Sequence, residues 1–293
     1  MVVMILWGLL FPTVKKGYQV FGISSTGDIL TFAGFRFLIC GAVITCFAAI
    51  RSPGEFKALK VTWWQVLLAG TFAIILHYAC TYIGLKSTDG SKTAILKQLG
   101  AVFYICFAAL FFPDDKLTLP KIGGLVLGIL GIFAINSDMK GFHFEVGDFL
   151  ILGASFCTVF SNIVSKKAFK KVTPIVLTGV SQLFGGLVLL VVGTAAGGSV
   201  SHVIPTEVNQ FAVLGAIVAA SVVSYCLWFL TVQKENLSKL FIIKFSEPLF
   251  AAIFSWFILK EDIFRIEYLI AFLLISSGIL VANFKKSTSK LQS

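Results

Sequence analysis

The sequence predicts an all-α membrane protein of ten transmembrane helices, arranged as two inverted five-helix repeats. Three observations carry that expectation: continuous apolar runs, an ungapped internal repeat, and an uneven distribution of basic residues. Hydrophobic residues make up 57% of the chain and charged residues only 13%, with a mean hydropathy of +0.94. Soluble domains carry about a quarter charged residues. The apolar runs reach the ~20 residues that a helix needs to cross ~30 Å of hydrocarbon. They are continuous rather than alternating, which argues against a spanning β-barrel.

The repeat emerges when the sequence is laid on itself with a shift of 147 positions and no gap. Tyr78 then falls on Tyr225, Ser91-Lys92 on Ser238-Lys239, Lys97 on Lys244, Phe103 on Phe250 and Asp115 on Asp262. Further on, Gly131 meets Gly278 and Asn136 meets Asn283. Apolar matches alone carry little weight in such a chain. A shared register that brings ionisable residues with it points to internal duplication. The expected units are 1–136, 147–284 and a cytoplasmic tail over 285–293, forming one transmembrane domain.

The elements follow in order. Residues 2–21 lack a basic leader and stay apolar past Pro12 to Tyr18 and Phe21, so they read as a spanning helix rather than a cleaved signal. Further spans are expected over 29–50, 63–85, 91–112, 119–136, 148–166, 174–195, 209–232, 238–259 and 266–284. Pro53, Pro113, Pro174 and Pro205 fall near span edges, where proline removes no helical hydrogen bond. Pro12 and Pro248 fall inside spans and are expected to kink them. Gly123, Gly124, Gly128 and Gly131, like Gly179, Gly185 and Gly186, suit close helix packing.

Charge sets the orientation. With the N-terminus in the cytoplasm, the cytoplasmic segments receive fourteen Lys and Arg residues and the opposite side seven. The positive-inside rule then places both termini in the cytoplasm. Five being odd, the halves insert with opposite orientation, and a substrate site is expected where they meet. The same loop clustering accounts for the net charge of +10 without a nucleic-acid partner. Six cysteines lie in apolar runs with no Cys-x-x-Cys pair, and three histidines are widely separated. Neither a disulfide framework nor a metal site is supported. No cofactor is expected, and no nucleophile-and-base set or phosphate-cradling loop points to an enzyme.

Lys97 and Lys244 are the leading functional candidates. Each stands about six residues, or ~9 Å, inside its span, at depths mirrored across the membrane by the inverted topology. A charge at the centre of a spanning helix costs at least ~2.5 kcal/mol, so such residues face a cavity or a partner. The competing reading is snorkelling, with the ammonium reaching the interface. Glu247 follows Lys244 by three residues, within reach of an ion pair on one helix face. It either neutralises Lys244 or acts as a titratable group in the pathway. Its repeat position holds Gly100. His77, Tyr78, Tyr82, Tyr225 and Trp228 combine apolar bodies with polar tips and suit the walls of a ligand pocket, or ordinary helix packing. Arg36 is read either as a contact with a loop carbonyl or as a substrate ligand. Asp114-Asp115 and Glu261-Asp262 read as solvated helix-end charges.

The chain resembles the drug/metabolite transporter superfamily, in particular the EamA-type ten-helix transporters. The resemblance rests on Trp7-Gly8 with Phe11, on Arg36-Phe37 and on Gly147-Asp148. Glu247-Pro248 and Leu259-Lys260-Glu261-Asp262 complete it. One departure is that Ala101 stands where symmetry with Pro248 would place a proline, after Lys97-Gln98-Leu99-Gly100. The resemblance implies a central cavity lined by spans 1, 3, 4, 6, 8 and 9, which adds Trp7 and Gln98 to the candidate lining residues. It also implies a secondary transporter, an exporter or exchanger of a small polar metabolite such as an amino acid or organic acid. The expected setting is a bacterial inner membrane, as monomer or homodimer. The partners are the lipid bilayer, the small-molecule substrate, and a proton or counter-substrate. A passive channel and an intramembrane enzyme are the alternatives.

Overall fold

The computed structural model describes residues 1–100, 103, 118–135, 137–138, 141–142, 144–234, 244, 246–262 and 264–282. The expected fourth span beyond Gly100 (Phe103 apart), with Ala101 and Asp114-Asp115, lies outside them. So do the start of the ninth span (Lys244 apart), Asn136, Asn283 and the tail over 285–293.

The first half contributes α1 (Val2–Val20), α2 (Thr26–Arg51), α3 (Leu59–Gly70), α4 (His77–Ser87), α5 (Gly90–Lys97) and α6 (Leu119–Ile135). A π-helical turn, Thr71–Leu76, joins α3 to α4. A two-residue antiparallel ladder, β1 (Ser137–Asp138) with β2 (Gly141–Phe142), leads into the second half. There follow α7 (Val146–Ala168), α8 (Pro174–Ala195), α9 (Val208–Lys234), α10 (Ser246–Leu259) and α11 (Ile266–Ala282). Among the described residues, five stretches are long and apolar enough to cross a membrane: α2, the continuous Pro53–Ser87, α7, α8 and α9. α6, α10 and α11 carry shorter apolar helices. The span expected over 63–85 is thus longer in the structure, because a 3₁₀ turn, Pro53–Ala58, runs directly into α3.

Helix partners are exchanged between the halves. α2 packs along α8, and α6 along α11. α1 packs against α9 and α10, while α7 packs against α3, α4 and α5. The first span of each half therefore meets the third and fourth spans of the other, as two-fold-related repeats require. The protein is an all-α membrane protein built on that plan.

Local chemistry fixes several helix ends. The Ser25 hydroxyl accepts from Asp28 N at 3.0 Å and caps α2. Glu145 and Asp148 form a reciprocal capping box at α7. Pro174 opens α8, a position where a missing N–H leaves no broken bond. Pro12 lies inside α1, which continues to Val20. The α2–α8 seam depends on small residues. A Cβ built on Gly186 would stand 2.5 Å from Leu38 N and 2.8 Å from the Phe37 carbonyl carbon, so the two backbones are nearly in contact.

Candidate functional site

The repeat offset reappears in space as a contact. The hydroxyls of Tyr78 on α4 and Tyr225 on α9 hydrogen-bond to each other. Since these residues are equivalents, the bond lies on the axis relating the repeats. Phe37 flanks the pair, 4.4 Å from the Tyr78 ring centroid and 6.4 Å from that of Tyr225. Around it opens a cavity with about 730 Å³ of empty space, its open mouth included, bounded by α1, α2, α4, α5, α7, α9, α10 and the π turn.

Lys97, Lys244, Glu247, His77, Tyr78, Tyr82, Tyr225, Trp228 and Trp7 all line this cavity. Lys97 and Lys244 are 8% and 6% exposed, so both ammonium groups turn inward rather than snorkel. Lys97 ends α5, and its Nζ lies 3.1 Å from His77 Nε2. His77 Nδ1 lies 2.9 Å from the Ala154 carbonyl. A carbonyl can only accept, so Nδ1 carries the proton and Nε2 offers its lone pair to Lys97. Lys244 Nζ lies over the rings of Trp7 (5.3 Å) and Trp228 (5.9 Å), an attractive placement for a cation. Glu247 is buried, its Oε2 has no hydrogen-bond partner among the described residues, and it interacts electrostatically with both lysines. The expected direct ion pair between Lys244 and Glu247 is not formed among the described residues.

Two readings are corrected. Gln98 is buried but stands outside the cavity, its Nε2 directed at the Ala94 carbonyl at 3.5 Å. α5 ends at Lys97, and one further residue rotates about 100° off the Lys97 face. Among the described residues Arg36 contacts no loop carbonyl. Its Nε and Nη2 donate to Ser221 Oγ at 3.1 and 2.6 Å, and its guanidinium faces Phe37, Tyr78 and Tyr82 while lining the cavity. Sequence reasoning also missed Thr158, Ser161 and Asn162, which form the α7 wall. The signal was present as a stripe of Ser155, Thr158, Asn162 and Ser165 at helical spacing along an apolar span.

A charged cluster lies next in sequence to Val14 and close to Leu85, both of which line the cavity. One residue beyond Val14, Lys15 Nζ reaches Glu261 Oε1 at 3.1 Å, Asp89 Oδ1 at 3.6 Å and the Thr88 carbonyl at 3.3 Å. Gly90 N donates to Glu261 Oε1 at 3.1 Å, and Tyr268 Oη donates to Asp89 Oδ2 at 2.9 Å. Nearby, Lys92 Nζ donates to the fully buried Asp148 at 3.0 Å. Both sets tie the first half to the second. Glu261 is therefore a clasp residue, not a solvated helix-end charge. It follows Lys260, whose φ of 58° places it in the left-handed region and turns the chain sharply at the end of α10.

Both halves of the chain, residues 1–137 and 145–284, match the EamA-like transporter family. The chain belongs to that family. Among its relatives is an uncharacterised transporter of Bacillus subtilis, YetK, 26% identical over 87% of this chain and 78% of its own length. A second from the same organism, YvbV, is 25% identical over 98% and 90%. A chloroplastic WAT1-related protein of Arabidopsis thaliana is 23% identical over 87% of this chain and 61% of its own. A solved crystal structure superposes with a TM-score of 0.68 at 16% identity, covering 96% of this chain and 95% of the other, and so shares the fold. In this EamA protein the motif residues divide between two tasks. Trp7, Arg36 and Glu247 line the cavity, whereas Asp148 and Glu261 hold the clasp.

Proposed function

We propose that this chain is a secondary transporter, an exporter or exchanger of a small polar metabolite bearing a carboxylate, that works by alternating access in a bacterial inner membrane with both termini cytoplasmic. The observation that carries this reading is a pair of buried lysines, one from each repeat, facing one cavity where the repeats meet. Charges held in that setting are expected to serve a pathway. A proton or counter-substrate would supply the driving force. Purified protein reconstituted in liposomes should give saturable uptake and counterflow of such a solute. Lys97→Ala and Lys244→Ala should each lower the rate at least about tenfold, the equivalent of ~1.4 kcal/mol. Unchanged transport of every anionic and zwitterionic solute that the parent handles would remove the lysines from the mechanism. Flux that neither saturates nor shows counterflow would indicate a channel.

Alternating access requires that the clasp open. Joining Lys15→Cys to Glu261→Cys with a short bifunctional thiol-reactive cross-linker that carries a cleavable disulfide in its spacer should arrest transport, with recovery on reduction. Lys15→Glu should weaken the closed state by ~1–2 kcal/mol, a ~5–30-fold shift in its population. The charge-swapped pair Lys15→Glu with Glu261→Lys should restore it. A cross-linked protein that transports at the parent rate would rule out opening at this end.

A further inference from the structure

The charge of the central cavity indicates what it can hold. Arg36, Lys97 and Lys244 line it, all at least nine-tenths buried, and Glu247 is the one lining carboxylate among the described residues. The other buried or half-buried acids near it are already engaged: Asp148 by Lys92, and Glu261 and Asp89 by Lys15. Counted as formal charges, three basic groups facing one carboxylate leave an excess of two positive charges in a setting of low dielectric. Repulsion and desolvation both oppose that excess. Building on the transport reading above, we propose that the cavity takes a solute carrying two negative charges, such as a dicarboxylate or a phosphate monoester.

The donors suit such a solute. Arg36 gives Nε and one Nη2 hydrogen to Ser221, which leaves three N–H groups of its planar fork, a shape matched to carboxylate and phosphate oxygens. Lys244 rests on ring faces and, among the described residues, donates no hydrogen bond. Trp7 Nε1, Thr81 Oγ1 and Tyr82 Oη are buried at the same cavity without hydrogen-bond partners among the described residues. A singly charged acid would offset half of the excess, and a zwitterion none of it. Glu247 alone does not balance the basic groups, and its Oε2 has no hydrogen-bond partner among the described residues.

The test uses the purified full-length protein near pH 8, where phosphate monoesters are doubly charged. Succinate, malate, inorganic phosphate and glycerol 3-phosphate are compared with lactate, acetate, alanine and phenylalanine. Binding is read from thermal stabilisation against solute concentration, and transport from counterflow in liposomes. At least one doubly charged solute should stabilise the protein at roughly tenfold lower concentration than any singly charged or neutral one. The dicarboxylate and phosphate arms show which chemistry carries the charges. Lys244→Gln should collapse the difference, while Lys244→Arg keeps it; Lys97→Gln replaces the former if it does not fold. Equal or tighter binding of monoanions or zwitterions than of every dianion overturns the proposal, as does an unchanged ratio in folded Lys244→Gln. Counterflow of singly charged solutes alone would leave the transport reading standing and this one refuted. Dianion binding without counterflow of any solute would do the reverse.

Discussion

Replacing Glu247 with leucine is expected to cost this protein most of its folded yield. The carboxylate is 2% exposed and interacts with both Lys97 and Lys244, with Arg36 lining the same cavity. Removing it leaves three buried basic groups without a lining counter-charge among the described residues. Deleting one partner of a buried charge set typically costs ~3–5 kcal/mol, against a total stability of only about 5–15 kcal/mol. Glu247→Gln should fall between, since its amide keeps shape and hydrogen bonding but not charge. The decisive comparison adds Lys244→Met to Glu247→Leu. Lowering the positive charge should recover part of the loss, giving a coupling of ~1–3 kcal/mol in a double-mutant cycle of thermal unfolding. A Glu247→Leu protein as stable as the parent would show that the cations are balanced in some other way.

Gly186→Leu is expected to be nearly as damaging, for a steric reason. The first added carbon meets the backbone of α2, Leu38 N at 2.5 Å and the Phe37 carbonyl carbon at 2.8 Å. A flexible side chain can step aside, but a helix backbone cannot move without its whole seam. Overpacking a tight core costs ~1–3 kcal/mol even where side chains can adjust, so the upper end of that range is the expected floor. Phe37 also flanks the Tyr78–Tyr225 pair, so any variant that survives purification should transport poorly. Gly215→Ala on α9 is the control, since nothing lies within 4 Å of its added carbon, and its melting temperature should equal or slightly exceed that of the parent. Equal melting temperatures for Gly186→Leu and the parent would contradict the contact.

What the sequence disclosed depended on whether a residue's chemistry contrasted with its surroundings. Lys97 and Lys244 stood out because a charge in an apolar run is costly wherever it points. Tyr78 and Tyr225 were linked by register before their contact was known. The family resemblance, not the residue itself, brought in Trp7. Gln98 failed because the sequence does not show that α5 ends one residue earlier and turns the amide away. Glu261 was misjudged because a charge after a span reads as solvated, whereas its partner Lys15 lies 246 positions away. Thr158, Ser161 and Asn162 carry no charge and resemble the small polar residues that occur in many spans. Their role depends on the face of α7 they occupy, and packing decides that.

The hydrogen bond between Tyr78 and Tyr225 has a consequence of its own. It joins a residue to its own image, yet one hydroxyl must donate and the other accept, so the pair cannot be symmetric at any instant. If the two halves trade shapes during transport, that bond need not break; only its proton changes owner. The point through which both halves can turn is then already marked by two tyrosines. A distance probe placed there should stay silent while one placed across Lys15 and Glu261 reports every cycle.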